Sequence, residues 1–177
     1  VVCLLPIIAG FVGADTTAAI LATKIHESDV TRCLVDIGTN GEVVMGSKDK
    51  LMACSAPAGP ALEGGQIHQG MRAAVGAIEK VQIDDDMHVQ TIGNAKPIGI
   101  CGSGLIDAIS AMMDAGLVDG AGRLRHKDLE DLPKKLAARF VTDGKARHIV
   151  LALAEETGVN EDIILTQMDI RQLQLAK

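Results

Sequence analysis

The sequence predicts an α/β fold in which a meander of three antiparallel strands is flanked by helices. Three short apolar runs, at residues 33–37, 42–46 and 50–55, are separated by turn-forming residues, which is typical of strands joined by hairpins. A helical repeat of apolar residues covers residues 105–115 and stops at Gly116, the residue type that most often ends a helix. Strand and helix patterns alternating along one chain indicate a sheet with helices packed against it.

The other elements follow from the same patterns. Further strands are predicted at residues 1–9, 77–83, 87–92, 139–141 and 148–151. Further helices are predicted at residues 16–24, near 61–66 and 71–73, and at 169–177, with a charged, partly helical segment at 123–136. Thr166 and Asp169 have the spacing of a capping box for the last helix. The acidic turn Asp84, Asp85 and Asp86 is predicted to be solvated.

Composition and charge exclude several classes of function. The chain has 177 residues, of which 47% are hydrophobic and 23% charged, as in ordinary globular proteins. A net charge of −6 argues against a nucleic-acid partner, and two Phe with no Tyr or Trp leave no stacking platform for bases. No apolar run reaches the roughly 18 residues that span a bilayer, and residues 1–8 lack the basic start of a signal peptide. We therefore expect a cytoplasmic protein without a membrane or nucleic-acid partner.

The cysteines and the chain ends add two expectations. Cys3, Cys33, Cys54 and Cys101 are widely spaced and contain no C-x-x-C pair, so we expect buried, reduced thiols rather than a zinc or iron–sulfur site. The chain begins in a predicted strand and ends in a helical pattern without a Gly or Asn cap. We therefore expect residues 1–177 to form a single partial domain, with the strand meander at residues 33–56 inside it.

The turn between the first two meander strands is the strongest candidate for chemistry. Asp36 ends an apolar strand, and Gly38, Thr39, Asn40 and Gly41 follow, with Asn-Gly as a tight-turn signal. Glycine lets phosphate oxygens approach the backbone, and short polar side chains reach a terminal phosphate. A carboxylate beside phosphates needs a cation between them, so Asp36 is predicted to hold Mg²⁺. Glu42 is either a residue that orients an attacking water or an exposed strand residue.

A purely structural interpretation of this turn is also open. Asp, Asn and Gly are favoured in hairpin turns for backbone reasons alone, so these six residues by themselves do not decide between a hairpin and a phosphate site.

The wider sequence resembles a known family. Residues 34–42, LVDIGTNGE, look like the second phosphate motif of the actin-like ATPase superfamily, which includes sugar kinases, acetate kinase and the 70-kilodalton heat-shock chaperones. The whole chain resembles more narrowly the C-terminal part of the reductive activators of corrinoid proteins. Segments in the order of that family are AGFVGAD at residues 9–15, AGPALEG at 58–64, GMRA at 70–73, GICGSGLID at 99–107 and DIRQLQLAK at 169–177.

The resemblance implies a fold and a function. The fold would be an RNase-H-like subdomain of an actin-like ATPase, with a mixed sheet. The parent protein would use ATP and Mg²⁺ to drive an electron onto an inactive cob(II)alamin, restoring cob(I)alamin on a corrinoid protein. Its [2Fe–2S] or other iron–sulfur cluster would lie in a domain outside this chain, as would the first phosphate motif and a later turn that touches the nucleoside. This fragment alone is therefore expected to be inactive. The sequence does not identify the oligomeric state, and a homodimer is one assembly that we consider.

Two further segments are predicted to line the nucleotide cleft. Glu63 would be a second catalytic carboxylate near the metal, on a loop in which Gly59 contacts the nucleotide; a plain connector is the alternative. Gly102, Ser103 and Gly104 precede a helix, whose first N–H groups attract anions. The alternative for these three residues is a Ser N-cap with glycines for close packing.

Two rival functions stay open at this point. A small-molecule kinase of the same superfamily would pass the γ-phosphate to a substrate. A non-catalytic interaction module would keep the fold and have lost ATP.

Overall fold

The chain forms two compact units, residues 1–59 and residues 60–176. The computed structural model describes residues 4–125, 128–143 and 146–176. The described part of the first unit includes a helix, α1 (Ala14–Thr23), and a sheet formed by β1 (Arg32–Ile37), β2 (Asn40–Ser47) and β3 (Lys50–Pro57). The second contains β4 (Ala77–Ile83), β5 (Met87–Thr91), β6 (Gly99–Ile100), α2 (Gly102–Asp114), α3 (Lys134–Ala138), β7 (Phe140–Asp143), β8 (Ala146–Ala152), β9 (Ile163–Thr166) and α4 (Gln167–Leu175). That residues 1–177 make a single partial domain stays a prediction.

The first unit is built on the predicted meander. β1, β2 and β3 pair antiparallel in sequence order, which confirms the three strands in series. Only two residues, Gly38 and Thr39, separate β1 from β2, so Asn40 and Gly41 belong to β2 rather than to the predicted four-residue connection. Val44 at the centre of β2 is fully buried, on the face that a short 3-10 turn at Ile25–Glu27 contacts.

The opposite face of this meander is apolar and exposed. Because successive side chains of a strand point to opposite faces, Val35 and Ile37 lie on the side away from Val44, and they are 53% and 58% exposed. The prediction that residues 33–37 form a buried strand is therefore wrong for this unit. Cys33 and Cys54 are also exposed, against the predicted burial of the thiols. Cys101 is buried as predicted, and Cys3 lies outside the described residues.

The second unit has a continuous core. β4 pairs antiparallel with β5 and parallel with β6, which makes a mixed sheet, and α2 packs on β4. The Asp107 carboxylate of α2 accepts a hydrogen bond of 2.6 Å from the Val81 N–H of β4. A second sheet has the antiparallel order β7-β8-β9. Fully buried members of the shared core include Ile78, Leu105, Met112, Ile149, Leu165 and Ile170.

Local sequence signals were the reliable ones. The hairpin at residues 77–92, the end of α2 before Gly116 and the capping box of Thr166 and Asp169 are confirmed. α1 begins two residues before its predicted start. No described helix is long and apolar enough to cross a membrane.

Weak or nonlocal signals gave the errors. The described part of residues 1–9 contains only a bridge between Ala9 and Val12, and no described strand pairs with it. A 3-10 turn at Pro60–Glu63 replaces the helix near residues 61–66, and residues 71–73 are not helical. β6 and β9 were not predicted; β6 has only two residues, too few for a strand pattern.

The acidic turn at residues 84–86 forms an ion pair with a buried arginine. Arg139, only 5% exposed, donates from Nε to Asp86 Oδ1 at 2.6 Å and from an Nη to the Leu151 carbonyl at 3.3 Å. The hydrogen bond from Arg139, together with the Met87 N–H, holds the pKa of Asp86 below its ordinary value. The predicted solvated turn is therefore wrong at Asp86, although Asp84 and Asp85 are exposed.

Asp86→Asn is expected to lower the free energy of unfolding by about 2 kcal/mol at pH 7, because the buried Arg139 would lose its hydrogen-bonded counter-ion and keep only Glu156, at 4.0 Å. Since the folded pKa is depressed, the ion pair contributes fully above the ordinary value of 3.8, and its contribution disappears as the pH falls through the folded pKa. Thermal melts of the full-length protein from pH 7 to pH 3 measure this difference. Asp85→Asn, at an exposed neighbour, is the control, and an equal effect of both variants would contradict the assignment.

Candidate functional site

The predicted phosphate turn is a closed hairpin turn at one end of the meander. The Gly38 N–H donates to the Asn40 carbonyl at 3.0 Å, so this N–H is used within the turn. The Gly38 N–H is therefore not directed at a ligand in this conformation. At Gly41 an added Cβ would meet only the carbonyl oxygens of Ala56 and Asp36, at 3.8 and 3.9 Å, which is ordinary contact. Packing therefore does not require glycine at position 41. Close approach of a ligand to the backbone would explain why glycine stands there.

The following loop is fastened to this turn. The Thr39 carbonyl accepts two hydrogen bonds, from the Ala58 N–H at 3.0 Å and from the Gly59 N–H at 2.8 Å. Gly59 has a φ of +99°, a conformation that favours glycine, and an added Cβ there would meet nothing within 4 Å. The structure thus brings Gly59 to the Thr39 turn, as a joint nucleotide site requires.

A row of polar residues crosses the meander beside the turn. Asp36 of β1 lies directly opposite Glu42 of β2, and Glu42 lies opposite Ser55 of β3. The Ser55 hydroxyl donates to Glu42 Oε1 at 2.8 Å, which fixes the Glu42 side chain. Two carboxylates directly opposite each other on adjacent strands destabilise a sheet unless a cation lies between them. No ion pair to Lys, Arg or His is recorded for either carboxylate within the described ranges.

The chemistry of this row fits a hard, oxygen-seeking cation. Among the described residues no cluster of three or more His, Cys, Asp or Glu side chains is arranged as a metal site. Mg²⁺ does not need one, because it typically takes one or two carboxylates and completes its shell with phosphate oxygens and water. Asp36 and Glu42 supply that number of carboxylates. Sequence reasoning found Asp36, left Glu42 undecided and missed Ser55, although extending the strands outward from the two hairpin turns gives this register.

The remaining predicted residues lie in the second unit. Glu63 is exposed and is the last residue of the 3-10 turn Pro60–Glu63. Gly102 packs so tightly on this turn that an added Cβ would lie 1.8 Å from the Leu62 carbonyl oxygen. The structure therefore brings the start of α2 against the segment that carries Glu63.

The structure at the start of α2 tests the two interpretations of Gly102, Ser103 and Gly104. An added Cβ at Gly104 would lie 1.9 Å from the Ile78 carbonyl oxygen of β4, so both glycines are required for close packing. The helix begins at Gly102 with Cys101 as its N-cap and without a side-chain cap, so the Ser N-cap interpretation is wrong. Ser103 is exposed in the first turn. A phosphate or ribose role for Gly102, Ser103 and Gly104 stays a prediction.

Comparison with known proteins gives a consistent result. A family model described as the C-terminal domain of RACo, the ASKHA domain, matches residues 30–177. The chain is similar to the corrinoid activation enzyme RamQ of Eubacterium limosum, with 39% identity over 98% of this chain and 29% of that protein. It is also similar to a Co(II) methylated amine-specific corrinoid protein reductase of Methanosarcina barkeri, with 29% identity over 89% of this chain and 35% of that protein.

One solved structure extends the similarity to three dimensions. A reductive activator for corrinoid, iron–sulfur protein matches with a TM-score of 0.84 and 41% identity, over 96% of this chain and 26% of that one. The chain thus spans between 26% and 35% of the length of these three proteins.

Proposed function

This chain belongs to the family of the C-terminal ASKHA domain of RACo, and we propose that it is the nucleotide-binding part of an ATP-dependent reductive activator of corrinoid proteins. The parent protein would restore cob(I)alamin on its corrinoid partner. The observation that carries the nucleotide assignment is the row Asp36, Glu42 and Ser55 beside the Gly38-Thr39 turn. The names of the three similar proteins all concern corrinoid activation or reduction. They support a corrinoid protein as the partner.

Each residue of the turn has a distinct part in this proposal. Asp36 would hold Mg²⁺, which would supply positive charge to the bound phosphates. Glu42, whose carboxylate is fixed by Ser55, would orient an attacking water. Gly38, Thr39, Asn40 and Gly41 form the cradle, in which the two glycines leave room for phosphate oxygens. Gly59, held by the Thr39 carbonyl, keeps the following loop against the cradle.

The rest of the proposal concerns the parent protein. The iron–sulfur cluster that delivers the electron belongs to a domain outside this chain, and the protein works in the cytoplasm. Assembly as a homodimer, and nucleotide contacts by Glu63, Gly102, Ser103 and Gly104, stay predictions.

The proposal is tested by reduction of the corrinoid. The full-length protein, with its iron–sulfur cluster reduced, is mixed with a corrinoid protein that carries cob(II)alamin. Mg²⁺ and ATP are added or left out, and the formation of cob(I)alamin is followed by its absorption. We expect formation to require both ATP and Mg²⁺. ATP-independent reduction would favour the non-catalytic module, and transfer of the γ-phosphate to a small acceptor would favour the kinase.

A further inference from the structure

Three arginines surround one cavity of the second unit. The cavity has a volume of about 620 Å³ and lies between α4, β8 and the loop at residues 119–124. Arg123 of the loop, Arg147 of β8 and Arg171 of α4 line it, and no Asp or Glu belongs to the described lining. Three cationic side chains therefore line this cavity in a chain whose net charge is −6, while the carboxylates of Asp119 and Asp128 line an adjoining cavity that shares Arg123 and Arg147.

No carboxylate partner of these three guanidinium groups is found among the described residues. Within residues 4–125, 128–143 and 146–176, no ion pair is recorded for Arg123, Arg147 or Arg171. The nearby Arg125 shows the contrast, because it lies 3.7 Å from the Asp131 carboxylate and also donates to the Asp128 carbonyl. Like charges that share a cavity repel one another, so three arginines without a described ion pair are stabilised when an anion enters.

The walls of the cavity are held in place by neutral groups. Gln167 of α4 donates to the Gly122 carbonyl at 2.7 Å and accepts from the Leu124 N–H at 2.8 Å. Gln174, two turns further along α4, donates to the Ala121 carbonyl at 3.1 Å. Both glutamines thereby fasten the loop to the helix.

Hydrogen bonds of Asp119 and the glycine at position 122 fix the conformation of the loop. The Asp119 carboxylate accepts hydrogen bonds from the N–H groups of Ala121 and Arg123, each at 2.9 Å, which fixes the backbone that carries the Arg123 side chain. Gly122 has a φ of +75°, and an added Cβ would lie 2.2 Å from the Gln174 amide nitrogen. The framework is thus fastened by hydrogen bonds, while the three guanidinium groups make no ion pair with any residue that the structure describes.

We propose that this cavity is a binding site for a small polyanion that carries at least two phosphate or carboxylate groups. A guanidinium group pairs with two oxygens of such a group at once, and three of them match a ligand with several anionic centres. A cavity of about 620 Å³ is within the range of small-molecule sites. The site needs no metal, because the arginines supply the positive charge, and it does not depend on the nucleotide assignment of the Asp36 turn.

Calorimetric titration of the full-length protein with inorganic pyrophosphate in metal-free buffer tests the site. Without Mg²⁺ the Asp36 turn is not expected to hold phosphates, so the arginine cavity should account for the binding. Arg123→Gln and Arg171→Gln are each expected to weaken binding by about tenfold, since a hydrogen-bonded charge pair contributes roughly 1.5 kcal/mol or more. Binding should also weaken as salt is added.

Two matched variants complete the experiment. Arg72→Gln removes an exposed arginine outside this cavity, and Asp36→Ala removes the proposed metal ligand; both should bind pyrophosphate like the wild type. Titration with citrate in the same buffer distinguishes carboxylate from phosphate ligands. The proposal is overturned if pyrophosphate and citrate both fail to bind, if Arg72→Gln weakens binding as much as Arg171→Gln, or if Asp36→Ala alone abolishes it.

Discussion

Gly104→Ala is expected to lower the free energy of unfolding by about 3 kcal/mol, because the new methyl group overlaps backbone that cannot move aside. The added Cβ would lie 1.9 Å from the Ile78 carbonyl oxygen, which also accepts a hydrogen bond from the Cys101 N–H. In an ordinary helix the same substitution would stabilise by about 0.5–1 kcal/mol, so the packing of α2 on β4 reverses the sign. Gly102→Ala should act in the same direction, through the Leu62 carbonyl oxygen.

Thermal and urea unfolding of the full-length variants measure this effect. Gly120→Ala is the matched control, because an added Cβ there meets nothing within 4 Å and its stability should change by less than about 0.5 kcal/mol. If Gly104→Ala and Gly120→Ala have the same melting temperature, α2 does not approach β4 as closely as described.

Asp36→Ala is expected to reduce ATP-stimulated cob(I)alamin formation by at least about a hundredfold while the protein stays folded. Losing even the groups that orient a metal ligand typically costs 10–100-fold in affinity or activity, and Asp36 is proposed to be a ligand itself. The fold should survive because the Asp36 side chain is exposed and is opposed by the like charge of Glu42. Its removal therefore relieves repulsion in the sheet.

The matched control for Asp36→Ala lies in the same sheet. Asp49 is exposed in the turn between β2 and β3, at the other end of the meander, so Asp49→Ala changes the same charge far along the strands from the phosphate turn. Reduction by Asp49→Ala should equal that of the wild type. Full ATP stimulation in Asp36→Ala would remove Asp36 from the mechanism.

The family and the α/β fold could be predicted from sequence because both rest on local patterns. LVDIGTNGE at residues 34–42 is contiguous, and the capping box of Thr166 and Asp169 spans four residues, so neither depends on the rest of the fold. Turn lengths likewise placed the three strands of the meander, and the family match and the similar solved structure confirm the fold.

Features that depend on distant partners could not be predicted. The apolar strand β1 looked buried, but burial is decided by what covers the sheet, and Val35 is half exposed. The packing of Gly102 and Gly104 depends on Leu62 and Ile78, which lie in other elements. Arg139 pairs with Asp86, which lies 53 residues earlier in the chain, and the sequence around either residue does not indicate this contact.

The central claim is that the Asp36 turn grips nucleotide phosphate through Mg²⁺. Its most direct test is the melting temperature of the full-length protein with ATP alone and with ATP and Mg²⁺, for the wild type and Asp36→Ala. Ligand at about a hundred times its Kd stabilises by about 2.7 kcal/mol, so binding gives a clear shift. We expect Mg²⁺ to enlarge the ATP-induced shift in the wild type but not in Asp36→Ala. A shift that is the same with and without Mg²⁺, or unchanged in the variant, would contradict the claim.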